Sequence, residues 1–103
     1  MSIVVVFRSR LRPENVAEYK ATQGEIAALA RQQPGIIAFK TFTADDGERV
    51  TVVEATSEEA VTAWREQARH KEAQRAGRDR FYSEYRLQVC EVLRDYGFGR
   101  GEE

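Results

Sequence analysis

Only a few side chains in this sequence are suited to chemistry on a small molecule. The 103 residues include a single histidine, His70, and a single tryptophan, Trp64, six positions apart in an arginine-rich segment. An imidazole, with an ordinary pKa of about 6.5, can act as a general base near neutral pH. An indole can form a stacking wall and donate a hydrogen bond. The two residues are therefore the candidate catalytic pair, unless Trp64 is a core residue and His70 a solvated one.

Five further residues are candidates for contacting a substrate near this pair. The hydroxyls of Tyr82 and Tyr85 could hydrogen-bond a substrate oxygen, although both rings could equally pack with their hydroxyls at the rim of a cleft. Arg86 or Arg8, if turned inward, would stabilise an anionic oxygen, whereas the alternative for both is a solvated surface. Phe7, next to Arg8 in the sequence, completes the set.

The sequence does not support several other kinds of site. One cysteine, Cys90, excludes an internal disulfide, and one cysteine with one histidine cannot form a zinc site without many carboxylates. We expect no metal and no cofactor, and we expect Cys90 to be a small buried filler rather than a nucleophile. A glycine-rich phosphate loop is missing. The net charge of −1 and the lack of a basic glycine–aromatic motif argue against nucleic-acid binding.

Length and composition indicate one ordinary globular domain. With 42% hydrophobic and 32% charged residues, the chain is too apolar for disorder and has a modest core. We assign residues 1–96 to this domain and residues 97–103 to a flexible polar tail. The apolar stretch 2–7 is too short for a signal peptide or a membrane-spanning helix. A cytoplasmic protein without a membrane partner is therefore expected.

The first half of the chain predicts a strand, a helix and a second strand. Residues 2–11 are rich in β-branched side chains and form the first strand. Pro13 suits the first turn of a helix, and apolar residues then recur at helical spacing. Gln33-Pro34-Gly35 ends this helix after residue 32, and residues 36–43 form the second strand.

The second half predicts a hairpin, a second helix and a last strand. Residues 44–47 form the hairpin turn, and residues 48–55 return antiparallel. Thr56 and Glu59 fit the N-cap and N3 positions of a capping box that begins the second helix. Helical spacing continues, with a kink, through the arginine-rich segment, and residues 86–94 form the last strand.

The resulting order, β-α-β-β-α-β, is that of an α+β ferredoxin-like domain with a four-stranded antiparallel sheet. Two helices can cover only one face of this sheet. Yet the first strand is apolar on both faces, because Ile3 and Val5 alternate with Val4 and Val6. A second apolar face should not remain in water. We therefore expect a homodimer that pairs through the open sheet face.

Four stretches of the chain carry a resemblance to a known family. They are SIVVVFRSRLRPENVAEY, Gln33-Pro34-Gly35, SEEAVTAWREQARH and AQRAGRDRFYSEYRLQVCEVLRDYGF. Together they span nearly the whole chain, which resembles the antibiotic biosynthesis monooxygenase-like domains of the dimeric α/β-barrel superfamily. The resemblance implies that fold and a homodimer. The family includes cofactor-free oxygenases of phenols and quinols, haem-degrading enzymes and proteins without an established reaction. The fold alone therefore does not determine the reaction.

The haem-degrading branch of the family can be compared residue by residue. Its members carry an Asn on the first strand, a Trp on the second helix and a haem-ligating His ten residues later. In this sequence the three positions hold Phe7, Trp64 and Gln74. His70 lies four residues too early, about one helical turn away. Two of the three residues are missing, so the resemblance favours a cofactor-free protein, with His70 as an iron ligand in another pose left open.

The resemblance implies oxidation of a small aromatic, phenolic or quinol-like metabolite by dioxygen. A deprotonated phenol gives up an electron readily, so the protein must hold a planar substrate, remove a proton and stabilise charge in a dry pocket. His70 would be the base, and Trp64 the wall of the pocket. The alternatives are a non-catalytic dimeric module that binds a small ligand, and a purely structural homodimer.

Overall fold

Four strands and three helices follow one another along the chain. The computed structural model describes residues 2–99, without the side chains of residues 68–71, 77 and 79. The elements are β1 (Ile3–Leu11), α1 (Val16–Gln32), β2 (Ile36–Thr43), β3 (Arg49–Ala55), α2 (Glu58–Arg65), α3 (Ala68–Ala76) and β4 (Tyr82–Glu91). A short 3₁₀ turn, Pro13–Asn15, precedes α1, and a π-helical turn, Gly77–Phe81, precedes β4.

The strands form one antiparallel sheet in the order β2-β3-β1-β4. In the centre of the sheet, Val5 of β1 pairs with Val53 of β3 on one side and with Val89 of β4 on the other. The four-stranded antiparallel sheet and the α+β ferredoxin-like fold predicted from the sequence are therefore confirmed. The predicted second helix is divided into α2 and α3, which agrees with the expected kink.

The helices cover one face of the sheet unevenly. On this face Val5 of β1 and Val53 of β3 are 4% and 2% exposed, and they pack with Trp64 of α2 in the main hydrophobic core. On the same face of β4, Leu87 and Val89 are each 43% exposed. The helices thus bury the middle of the sheet and leave the β4 side of that face open.

The opposite face of the sheet is also partly apolar, as the sequence predicts. Val4 and Val6 of β1 are half-buried, and so is Val52 of β3, which pairs with Val6. Phe42 of β2, on the same face, is 51% exposed. This surface, formed by the even-numbered residues of β1 and β3, those of β4 from Glu84 onward and Phe42 of β2, is called the open face.

Several predicted boundaries differ from the structure by a few residues; the last strand, for example, ends at Glu91 rather than at residue 94. The last strand begins at Tyr82 rather than at residue 86, because the π-helical turn ends the helical segment at Phe81. The predicted capping box is wrong by one residue: the N-cap is Ser57, whose hydroxyl accepts a hydrogen bond from the Ala60 N–H at 3.1 Å. Thr56 is held in the preceding turn, where its N–H donates to the Gly35 carbonyl at 2.8 Å.

Gly35 brings the α1–β2 turn into close contact with the start of α2. Its φ of +89° lies in the left-handed region that side chains rarely adopt. A Cβ at this position would lie 2.6 Å from the Ala60 Cβ and 2.9 Å from the Thr56 Oγ1. The absence of a side chain at Gly35 therefore sets how closely α2 approaches the sheet.

None of the described helices is long and apolar enough to cross a membrane. The cytoplasmic location stays a prediction. Residues 92–99 follow β4 without regular structure, and the last four residues of the predicted flexible tail lie outside the described part of the chain.

Gly35→Ala should destabilise the protein, whereas Gly24→Ala should not. Alanine at position 35 meets both a positive φ and the Ala60 side chain, which together cost about 2–4 kcal/mol. Gly24 lies in α1 with no atom within 4 Å of an added Cβ, so alanine there should stabilise the helix by about 0.5–1 kcal/mol. Urea denaturation of both variants measures the difference, and equal effects would contradict the close-contact argument.

Candidate functional site

A cavity of about 280 Å³ lies between the helices and the sheet. It occupies the space over β4 that the helices leave open, and most of its lining is apolar or aromatic. Tyr82, which precedes the shift in the β1–β4 register, lines it at the start of β4. Because side chains alternate along a strand, the other lining residues of β1, β3 and β4 all have odd numbers. They are Val5, Phe7, Thr51, Val53, Tyr85, Leu87 and Val89.

Trp64 forms part of the wall that α2 contributes to the cavity. Its ring packs edge-to-face on Phe39 of β2, with centroids 5.8 Å apart and planes at 88°. Trp64 is only 5% exposed and also belongs to the main core. The two interpretations of Trp64 offered by the sequence are therefore compatible: one side of the indole packs in the core while the residue lines the cavity.

The opposite end of the cavity is a cluster of aromatic rings from β1, α1 and β4. Phe7 lies 5.3 Å from Tyr82 and 5.6 Å from Tyr85, centroid to centroid. Tyr82 also packs edge-to-face on Tyr19 of α1 at 5.7 Å. The structure thus brings Phe7, Tyr82 and Tyr85 together at the cavity, and it adds Tyr19, which is 4% exposed.

Tyr82 is held in its protonated form. Burial raises the pKa of the Tyr82 hydroxyl well above its ordinary value of 10.0, and the neighbouring Tyr19, which shares a hydrogen bond with it, raises it further. The nearby Arg49 guanidinium opposes this shift only in part. A phenol that keeps its proton is a hydrogen-bond donor at neutral pH and is unsuited to act as a base.

Tyr82 is positioned by hydrogen bonds around the π-helical turn. The Arg12 N–H donates to the Phe81 carbonyl at 2.7 Å, and the Arg12 Nε donates to the Tyr82 carbonyl at 3.0 Å. The Asn15 amide donates to the Arg80 carbonyl at 2.9 Å. Phe81 itself is 2% exposed and packs on the Tyr19 ring at 5.7 Å. The start of β4 is thereby fixed to the β1–α1 connection.

The structure does not bring Arg8 and Arg86 to this cavity. The two residues are paired across β1 and β4 on the open face, on the opposite side of the sheet from Phe7. Arg8 donates two hydrogen bonds to the Glu48 carboxylate, at 2.9 and 3.0 Å, and these hold the pKa of Glu48 below its usual value. The expectation that either arginine turns inward is therefore not met.

Several polar residues that the sequence analysis did not select line the cavity on its helical side, and three of them lie between the start of α2 and the end of the π-helical turn. Arg65 ends α2, Gln74 lies on α3, and Arg78 lies on the π-helical turn. The sequence placed both arginines in a basic helical run, but that run does not indicate which of its members face inward. Gln74 is the residue at which the haem-degrading branch carries its histidine.

A further unselected residue, Arg49, lies behind the aromatic cluster. Its guanidinium carbon is 5.3 Å from the centre of the Tyr19 ring, and its Nε is buried without a hydrogen-bond partner among the described residues. The alternation of side chains along β3 could have identified Arg49, because its side chain lies on the same face of the sheet as those of Thr51 and Val53.

The sequence analysis also made predictions about His70 and Cys90. The side chain of His70 lies outside the described residues, so its proposed role stays a prediction. Cys90 is exposed on the open face, and the expectation that it is buried is wrong. Among the described side chains, no group of three or more His, Cys, Asp and Glu residues could hold a metal ion.

Comparison with known proteins gives the family. The model of the family described as antibiotic biosynthesis monooxygenase matches residues 2–76. The chain belongs to this family. It is also 32% identical over 90 residues to the uncharacterised protein YqjZ of Bacillus subtilis strain 168, which covers 87% of this chain and 78% of YqjZ.

Solved structures of very different sequence share the fold. Rv0793 from Mycobacterium tuberculosis matches with a TM-score of 0.84 at 16% identity, over 94% of this chain and all of that one. SnoaB, a cofactor-independent oxygenase from Streptomyces nogalater, matches with a TM-score of 0.76 at 17% identity, over 91% and 95% of the two chains. The predicted family membership and fold are confirmed.

The raised pKa of Tyr82 predicts a loss of stability in alkali. As the pH rises past 10.0, the unfolded chain releases the Tyr82 proton before the folded protein does, so unfolding becomes more favourable. The free energy of unfolding should fall by about 1 kcal/mol per pH unit from this group. Tyr82→Phe should remove that part of the slope, as measured by urea denaturation at pH 7, 10 and 11. The same slope in both proteins would contradict the assignment.

Proposed function

We propose that this protein is a cofactor-independent monooxygenase of a small aromatic, phenolic or quinol-like metabolite. One observation carries the proposal: an aromatic-lined cavity of about 280 Å³ that contains Tyr82, whose pKa burial raises above its ordinary value. The volume lies near the lower limit of small-molecule sites and suits a ligand of one or two rings. Family membership, and the match to an oxygenase of the same fold, support the reaction type.

The proposed reaction uses the electrons of the substrate itself. For an activated methylene between aromatic rings, the balance is R₂CH₂ + O₂ → R₂C=O + H₂O, in which the four electrons lost at carbon reduce both oxygen atoms. The substrate must first lose a proton, and we assign this step to His70. Tyr82 would exchange its hydrogen bond with Tyr19 for one donated to the substrate oxygen as negative charge develops there, and Trp64 and Phe7 would bound the planar ring.

A second candidate function is a non-catalytic module that binds the same class of ligand. It is favoured by the lining of the cavity, in which the described residues include no histidine and no carboxylate. Binding requires only the aromatic walls and the Tyr82 donor, whereas turnover requires a base. His70 therefore decides between the two functions.

We further propose that the protein is a homodimer that pairs through the open face. Proteins of this family are typically dimeric. In this chain the open face carries Val6, Val52 and the half-exposed Phe42. Beyond β4, Tyr96 and Phe98 are 88% and 101% exposed, so a single chain leaves large apolar side chains in water. A second copy of the chain would cover the open face.

Oxygen uptake by the purified, metal-free protein should exceed the spontaneous rate on at least one hydroquinone, anthrone or polyphenol. His70→Ala should lower the catalysed rate about 100-fold or more, because a general base is lost. Tyr82→Phe should lower it about 10–100-fold, because one donor to the developing anion is lost. An oxygen electrode measures each rate.

Tyr96→Phe is the matched control, since Tyr96 is exposed and lies outside the cavity, and its rate should equal that of the unaltered protein. Uptake that both His70→Ala and Tyr82→Phe retain would remove these residues from the mechanism. If no substrate is consumed but aromatic ligands quench the Trp64 fluorescence, the binding module is the correct function.

The proposed dimer should have about twice the mass of the 11.8 kDa chain at micromolar concentration. Val52→Asp places a charge in the centre of the open face and should give a monomer that remains folded, because burying an unpaired carboxylate is costly. Ala63→Asp on the exposed side of α2 is the control and should leave the mass unchanged. Sedimentation equilibrium measures all three, and a monomeric unaltered protein would overturn the dimer.

A further inference from the structure

The charge on the cavity lining is one-sided. Arg65 and Arg78 line it, and none of the described lining residues is acidic. The whole chain, by contrast, carries slightly more acidic than basic residues and a net charge of −1. Neither arginine forms an ion pair within the described part of the chain, unlike Arg8, Arg10 and Arg80, which do. Among the described residues, the lining therefore presents positive charge without an acidic partner to an entering ligand.

The two arginines lie at the two ends of α3, on the helical side of the cavity. Arg65 is the last residue of α2, and Arg78 lies in the π-helical turn that follows α3. Both are exposed, so they lie at the rim rather than in the apolar interior. Gln74, four positions before Arg78, lines the same side and offers an amide N–H₂. A guanidinium beside an amide donor is suited to bind a carboxylate.

The interior has the opposite character from the rim. Between the Trp64–Phe39 pair and the Phe7–Tyr82 pair, the walls are aromatic, and the Tyr82 hydroxyl donates. A ligand that satisfies both regions has an apolar ring with a negatively charged group at one end. A neutral phenol would gain nothing from the charge of the rim arginines, and a purely anionic ligand would gain nothing from the walls.

We propose that the cavity binds an aromatic carboxylic acid, with its ring between Trp64 and Tyr82 and its carboxylate on Arg78. Gln74 is the second donor to the carboxylate, and Arg65 adds attraction from the other end of α3. This inference rests on the proposed function in that both place an aromatic ligand in this cavity. It adds a carboxylate to the substrate class and a binding role to residues outside the reaction centre.

Two probes of equal shape test the proposal: 2-naphthoate and its neutral amide, 2-naphthamide. Isothermal titration calorimetry of the full chain at pH 7 should give a dissociation constant at least 10-fold lower for the acid. Arg78→Gln should reduce this preference to about 2-fold, and Arg65→Gln should reduce it by a smaller factor. Both variants should weaken binding of the acid by a larger factor than binding of the amide, and added NaCl should likewise weaken binding of the acid more than binding of the amide.

Arg31→Gln is the matched control, because it removes the same charge from an exposed position of α1 outside the cavity and should keep the preference. Equal affinities for the acid and the amide would overturn the proposal, as would a preference that survives in Arg78→Gln. Failure of both probes to bind at about 1 mM would also overturn it. An intact acid preference without oxygen uptake on any substrate would instead reject only the proposed oxygenase function.

Discussion

The candidate site depends on how the chain enters β4. Phe81 is buried against Tyr19 at the end of the π-helical turn, and hydrogen bonds from Arg12 and Asn15 fix the carbonyls around it. This attachment lets the chain leave the helical layer and join the sheet next to β1. It also fixes the direction of Tyr82, the first residue of the strand. Without it, the aromatic end of the cavity would have no defined geometry.

The division of the second helix explains why a cavity exists at all. A continuous helix from α2 through α3 would run past the sheet in one direction. The break after Arg65 allows α2 to pack in the core through Trp64, while α3 continues to the π-helical turn that leads into β4. The valines of β1 and β3 are consequently buried, and the space over β4 remains available to a ligand. The same break places cationic residues on one side of that space.

Strand and helix types followed from periodicity, and β2 was predicted with the residues it has in the structure. The site was predicted less completely. Phe7 and Arg8 are neighbours on a strand, so their side chains lie on opposite faces of the sheet. This alternation alone could have excluded Arg8 from a site that contains Phe7. The N-cap could not be chosen between Thr56 and Ser57, because the choice depends on the distant carbonyl of Gly35. The break between α2 and α3 determines which arginines of the helical run reach the cavity. The local sequence pattern does not show the geometry of that break.

The contact between Gly35 and Ala60 links a surface turn to the dimensions of the ligand space. Ala60 lies one helical turn before Trp64, so the separation of the turn and α2 determines where the indole stands above the sheet. A related chain with larger residues at these two positions must hold α2 farther away, and its indole with it. Ligand size can thus diverge among descendants of one ancestor through exchanges at residues that no ligand touches.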